Sequence, residues 1–315
     1  MTGTDYDTLI DAETWAFIRK TQESYPDDTA QFTIEDQRRV YDAMCADFHA
    51  PYPPGITASD RAYAGVPCRV YRTGDSPVTV VYFHGGGFVV GGLHSHDDVC
   101  AEIAAATGYR VVAVDYRLTP EHRHPAAFED CRDAVRAVAE EQGGTIVLAG
   151  DSAGANLAAA VAHAARRTGP AIAGQVLIYG AFSDTVGDGG SYAVHACAPM
   201  LTRDDVAFYR HIRMAEGQSP LGDPTAAPLA DSDFSGLPPS FLLAAQCDPL
   251  ADDSPAYAAR IVAAGGLAHS VTAPGLVHGF LRARHMSARA RAAFAEITAA
   301  IGALGRGEFP WKSPR

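Results

Sequence analysis

From residue 78 onward the chain alternates two hydrophobic patterns. Residues 78–83 form a near-continuous run of β-branched and aromatic side chains, the mark of a strand buried on both faces. The signature recurs at 110–116, 145–149, 175–179 and 241–245, with a last strand near 268–273. Between these runs lie Ala-rich helical stretches near 96–106, 126–141, 153–168 and 253–264, and a final helix near 286–304. Strand, helix, strand at this rhythm predicts a parallel sheet with right-handed crossovers. Two shorter strand-like runs, 58–63 and 67–72, turn at Gly65 just ahead of it. The expectation is an α/β fold with a mostly parallel, eight-stranded sheet flanked by helices.

Two segments fall outside this rhythm. Residues 1 to about 50 read as two amphipathic helices. In the second, Thr33 and Asp36 make a capping-box pattern, followed by Val40, Met44 and Phe48 at four-residue spacing. One helical pair cannot bury both of its faces, so this arm must lie on the main body. The run Pro51-Tyr52-Pro53-Pro54-Gly55 ends the helix and turns the chain. Between Ala181 and Pro239 there is no core strand, and one good helix near 203–215. Thr202 with Asp205 would cap that helix, and Val206, Tyr209 and Ile212 form its apolar stripe. An insertion of this size at a strand end suggests a lid over a site, joined by the N-terminal arm. The expected division is a cap arm at 1–55, a core at 56–182 and 231–315, and a cap insertion at 183–230.

Composition narrows the function classes. The chain has 315 residues, 47% hydrophobic and 20% charged, the balance of an ordinary globular protein. Its formal charge is −12 with no run of Lys or Arg, which argues against nucleic-acid or anionic-membrane partners. The N-terminus lacks the basic and apolar regions of a signal peptide, and no stretch reaches the roughly 18–20 apolar residues of a membrane span. No internal repeat is visible. Six scattered cysteines, Cys45, Cys68, Cys100, Cys131, Cys197 and Cys247, read as reduced, mostly buried thiols. Together these predict a cytoplasmic protein with a small-molecule substrate, as a monomer or homodimer.

The sharpest chemical signal is Gly150-Asp151-Ser152-Ala153-Gly154, after one strand and opening the next helix. A chain that reverses so abruptly leaves Ser152 strained with Oγ projecting. Gly150 and Gly154 remove side chains that would collide with strand and helix. As a bare G-x-S-x-G the motif is equally an ordinary turn with a capping serine; its position between strand and helix favours a nucleophile. Upstream, His84-Gly85-Gly86-Gly87-Phe88 follows strand 78–83. Three glycines let backbone amides approach a ligand and face it. The expected oxyanion hole uses the amides of Gly86, Gly87 and Ala153, with Gly85 as a substitute. A phosphate loop is disfavoured, because Phe88 to Gly92 intervenes before any helix and no Lys-Ser/Thr follows. His84 is assigned to holding the loop.

A serine on such an elbow is followed in chain order by an acid and then a histidine. Of the 12 histidines, His269, His278 and His285 lie late enough. His269 sits in a strand pattern and His285 at a helix start, which leaves His278, after the last strand, as the base. For the acid, Asp248 sits where strand 241–245 ends, and Asp252 is the second choice. Asp252 and Asp253, next to Ser254-Pro255, read as helix-capping acids. His94-Ser95-His96-Asp97-Asp98 resembles a metal cluster but lacks a distant third ligand set, and reads instead as the cap of the following helix. The stretch Arg117 to Glu121, with His122 and His124, reads as structural.

With these residues in hand, the chain resembles the hormone-sensitive-lipase-like family of α/β hydrolases over about residues 78–300. The motifs are HGGGF at 84–88, DYRLTPEH at 115–122, GDSAG at 150–154, SGLPPSFLLAAQCDPL at 235–250 and HGF at 278–280. Within the family it looks most similar to bacterial acetyl esterases. The resemblance implies an α/β-hydrolase fold, a two-part cap, and hydrolysis of small acyl esters, acetyl to butyryl, without a cofactor or metal. Other expectations on the same machinery are an amide, a lactone or an acetylated metabolite as substrate. Plant gibberellin receptors of this family bind a hormone after losing the catalytic histidine; His278 stands here in full motif context, which argues against such a role. The cap segments match the family weakly. Trp15, Phe17 and Tyr209 are therefore candidates for the pocket wall, and equally for plain cap core.

Overall fold

The computed structural model describes residues 4–26 and 32–311. Eight strands form one sheet: β1 (Thr57–Tyr63), β2 (Val66–Arg72), β3 (Val78–Phe83), β4 (Arg110–Val114), β5 (Thr145–Asp151), β6 (Ile172–Ile178), β7 (Ser240–Cys247) and β8 (Ala268–Val277). Their spatial order is β1-β2-β4-β3-β5-β6-β7-β8. β1 and β2 form an antiparallel hairpin, β2 runs antiparallel to β4, and every later pairing is parallel. The sheet is the mostly parallel one expected from the run of buried strands.

All six residues of β3 and all five of β4 are buried, because helices cover both faces. Strand alternation splits them between two cores. Val80 and Tyr82 join one with α4 (Asp97–Thr107) and α10 (Ala288–Gly305). Val81 and Phe83 join the other with α5 (Ala126–Gln142) and α6 (Ala153–Thr168). Helix α6 is buried over nearly its whole length, and its alanines let it lie close beneath the strands. Helix α9 (Asp253–Ala263) covers the β7–β8 edge.

The N-terminal arm departs from the two helices expected. It contains α1 (Tyr6–Leu9), α2 (Ala12–Glu23) and α3 (Ile34–Phe48), with the Thr33–Asp36 capping box formed at the last. Phe17, Ile18, Met44, Cys45 and Phe48 are buried in the main core. Phe17 and half-buried Trp15 thus pack as core, and neither lines the cavity described below. The insertion carries α7 (Gly190–Val194) and α8 (Arg203–Arg213), and α8 has the Thr202–Asp205 capping box.

Two other local expectations are corrected. The N-cap residue His96 makes no capping bond, and the two acids reach mostly beyond the helix: Asp97 accepts from Tyr52, Tyr71 and Arg69, and Asp98 from the Ala50 amide and Arg284 as well as the first-turn Val99 amide. The acids tie the proline-rich linker to the core. Likewise Asp252 and Asp253 do not cap α9. Asp252 accepts from the Ser191 amide, and Asp253 from the amides of Phe182 and Ser183. Both anchor the insertion.

Candidate active site

Sheet register brings the candidate residues together. Phe83 pairs with Gly150, so the glycine loop after β3 leaves the sheet beside the turn after β5. Cys247 pairs with Val277 across a bulge in β7–β8, so the next residues, Asp248 and His278, emerge side by side. Between them Asp151 pairs with Ile178, which puts Tyr179 next to Ser152. Ligands in parallel sheets collect at these carboxyl ends.

Ser152 has φ 54° and ψ −118°, a backbone conformation that costs about 1–3 kcal/mol and persists only where its surroundings enforce it. The enforcement is visible. A Cβ on Gly154 would strike the Phe83 carbonyl, and one on Gly150 would lie 2.5 Å from the Gly154 carbonyl. The Ser152 amide donates to Ile178 O at 2.8 Å. Its Oγ lies 2.8 Å from His278 Nε2, and His278 Nδ1 lies 2.7 Å from Asp248 Oδ2. A buried carboxylate accepts, so Nδ1 carries the proton, and Nε2 is free to accept from the hydroxyl. Asp248 is fully buried and its other oxygen accepts from the Leu250 amide. Tyr179 packs on the imidazole with centroids 4.8 Å apart. Asp252 lies outside this chain of bonds.

The glycine loop is held from beneath. The Gly85 amide donates to Asp151 Oδ1 at 2.9 Å and is thereby engaged, whereas Gly86, Gly87 and Ala153 line the cavity. Gly86 has φ 128° and Gly87 φ 60°; a Cβ on Gly87 would collide with the Tyr209 ring. Tyr116 donates to the His84 carbonyl at 2.7 Å, and His84 Nδ1 meets Gly85 O at 2.8 Å. Burial, with His96 alongside, pushes the His84 pKa down to about 3. His84 is therefore neutral at ordinary pH.

Sequence reasoning missed Asp151. Buried, it accepts from Tyr82, Tyr179, the Gly85 amide and His96. Burial alone would raise its pKa, but His96 and the bonds from His96 and Tyr82 hold it well below the usual carboxylate range. The G-x-S-x-G pattern leaves that position unspecified and so assigns it no role. The stretch 117–124, read as structural, braces more than its own loop. Arg38 reaches Val89 O and Thr119 O and makes a two-pronged pair with Glu121. Thr119 donates to Ile212 O and Arg123 to Met214 O, so one loop joins arm, glycine loop and insertion. Of the supposed metal cluster, His94 faces Asp42 and His96 faces Asp151. Among the described residues no group of three or more His, Cys, Asp or Glu is placed to hold a metal ion.

Above Ser152 lies a cavity of about 700 Å³. The arm supplies Tyr25, Tyr41 and Met44 to its walls, and the insertion supplies Leu201, Val206 and Tyr209. Tyr209 is thus the one of the three wall candidates that reaches it.

A family model described as alpha/beta hydrolase fold matches residues 80–282. The chain belongs to that family. It is similar to carboxylesterase NlhH of Mycobacterium tuberculosis, 39% identical over 230 residues that make up 69% of this chain and 71% of that one. It is also similar to ethyl acetate hydrolase of Pseudomonas putida, 34% identical over 230 residues, 69% and 72% of the two chains. A solved esterase of the bacterial hormone-sensitive lipase family is 28% identical with a TM-score of 0.84, covering 93% of this chain and 98% of that one. The chain is a hydrolase of the hormone-sensitive-lipase-like branch. Among its described residues no helix is long and apolar enough to cross a membrane.

Proposed function

We infer that this hydrolase is a serine carboxylesterase for short acyl chains, acetyl to butyryl. The observation that carries the reading is the hydrogen-bond chain from Ser152 through His278 to Asp248, 2.8 and 2.7 Å long, at the floor of a cavity edged by Gly86 and Gly87. In this mechanism His278 Nε2 takes the hydroxyl proton as Ser152 Oγ attacks the ester carbonyl. The amides of Gly86, Gly87 and Ala153 meet the developing oxyanion, and the start of α6 adds its positive potential. Asp248 holds the imidazole in the required tautomer and stabilises the imidazolium. His278 then protonates the leaving alcohol, and a water repeats the sequence on the acyl-enzyme. The arm and the insertion act as a two-part cap over the substrate. Short acyl groups are supported by the name of the ethyl acetate hydrolase relative, and the remaining cavity would take the alcohol half.

Ser152→Ala is expected to lower kcat/KM on a chromogenic butyrate ester by roughly 10³-fold or more; activity within tenfold of the parent would refute the nucleophile. A series from acetyl to decanoyl esters tests the acyl preference, and an optimum at octanoyl or beyond would refute it.

A further inference from the structure

The cavity holds positive charge that the mechanism does not use. The 3₁₀ turn after His278 (Phe280–His285) carries two arginines with opposite fates. Arg284 is buried and saturated with acids, bonding Asp98 at 2.5 Å and Glu102 at 2.8 and 3.0 Å. Arg282 faces the cavity and has no ion pair among the described residues. Its Nη2 donates to Tyr41 Oη and lies 3.5 Å from Cys45 Sγ, while its buried Nε has no partner among the described residues. The guanidinium sits over the Tyr41 ring at 5.0 Å and next to Gly279, one residue past the base.

A second wall arginine, Arg210, bonds the Ser183 carbonyl and likewise makes no ion pair among the described residues. The carboxylate in the cavity lining, Asp151, is already engaged by Tyr82, Tyr179, the Gly85 amide and His96. So a chain of net charge −12 lines the cavity above Ser152 with two cations, neither in an ion pair among the described residues. A guanidinium that lines a cavity without an ion-pair partner among the described residues would gain from an anion there, and its planar fork matches a carboxylate.

We propose that Arg282 selects esters carrying a free carboxylate, so that the substrate is a half-ester of a dicarboxylic acid or an acylated hydroxy acid. This rests on the esterase reading above. Arg282 is a specificity residue, and Arg210 adds to the same field.

The test compares carboxylate esters with neutral amide isosteres. Monoethyl succinate against ethyl succinamate places the charge on the acyl half; 3-acetoxypropanoate against 3-acetoxypropanamide places it on the alcohol half. The parent protein is expected to favour the carboxylate in at least one pair. Arg282→Gln should cut that ratio of kcat/KM values by about 10- to 100-fold, the weight of hydrogen bonds to a charged group, and Arg282→Lys should restore part of it. A ratio that favours the amide in both pairs, or that Arg282→Gln leaves unmoved, overturns the proposal. Competition against a neutral ester needs no variant: glutarate should inhibit at least about tenfold more strongly than glutaramide, and equal inhibition overturns the proposal. Hydrolysis of none of the four esters would instead refute the esterase reading.

Discussion

At the scale of single residues, identity depends on where each strand ends. The candidate set Ser152, His278 and Asp248, which the fold brings within hydrogen-bond distance, could be picked out because each follows a strand pattern directly and chain order restricts the choice. Asp248 and Asp252 are separated by four positions and share their chemistry; the pairing of Cys247 with Val277 puts the former beside His278. Asp248→Asn is therefore expected to lower kcat by about 10²–10⁴-fold, since it spoils the tautomer that the imidazole needs. Asp252→Asn, which touches the insertion through Ser191, should cost far less. Steady-state kinetics on one butyrate ester ranks the two, and the reverse order would exclude Asp248. Asp151 was illegible for a physical reason. Its partners come from β3, the end of β6 and the start of α4, and no local window of sequence shows those together.

At the scale of elements, the buried strands were plain because a parallel strand covered on both faces needs no polar alternation. The end of β8 was hidden. Pro274 and Gly275 read as loop, yet the strand runs to Val277, which an edge strand permits because one side of its ladder is unpaired. The two capping boxes were legible from spacing alone, whereas the arm's attachment through Arg38 was not. Helix α8 turns local chemistry into pocket shape, since its cap orders the helix that carries Tyr209 and Arg210. Thr202→Ala should destabilise the protein by about 1 kcal/mol, visible as a lowered melting temperature. Tyr209→Ala should open the wall over Gly87 and move the acyl optimum to longer chains, with up to about 0.8 kcal/mol available per added methylene that fits. An optimum unmoved by Tyr209→Ala would place the acyl group away from α8.

At the scale of the whole molecule, the buried histidines set how the protein meets acid. Burial pushes His84 down to about 3 and His163 down to about 4, from an ordinary value near 6.5. A histidine whose folded pKa is depressed binds its proton first in the unfolded chain. The stability it contributes is full above about pH 6.5 and drains away as pH falls toward the folded value. Asp151 and Asp97, both held low, add losses of the same sign once pH drops below about 4. Asp253 works the other way: burial raises it to about 6, so its ionisation costs stability as pH rises from about 4 to 6. Burial also raises Asp115 and lowers His124, His195 and His269, so the depressed histidines outnumber the two raised carboxyls; His84 and His163 lie in well-packed surroundings, and the net slope follows the histidines. The free energy of unfolding should therefore fall continuously between about pH 6.5 and 4, before most surface carboxylates titrate. Urea titrations at fixed low protein concentration check this without confusion from precipitation near the isoelectric point of 5.4. His84→Gln keeps a donor for the Gly85 carbonyl but carries no titrating group, so it should flatten part of that slope while lowering stability at pH 7. A slope equal to the parent's in His84→Gln, or stability level from pH 7 to 4, would mean that these imidazoles are protonated within the fold at no cost.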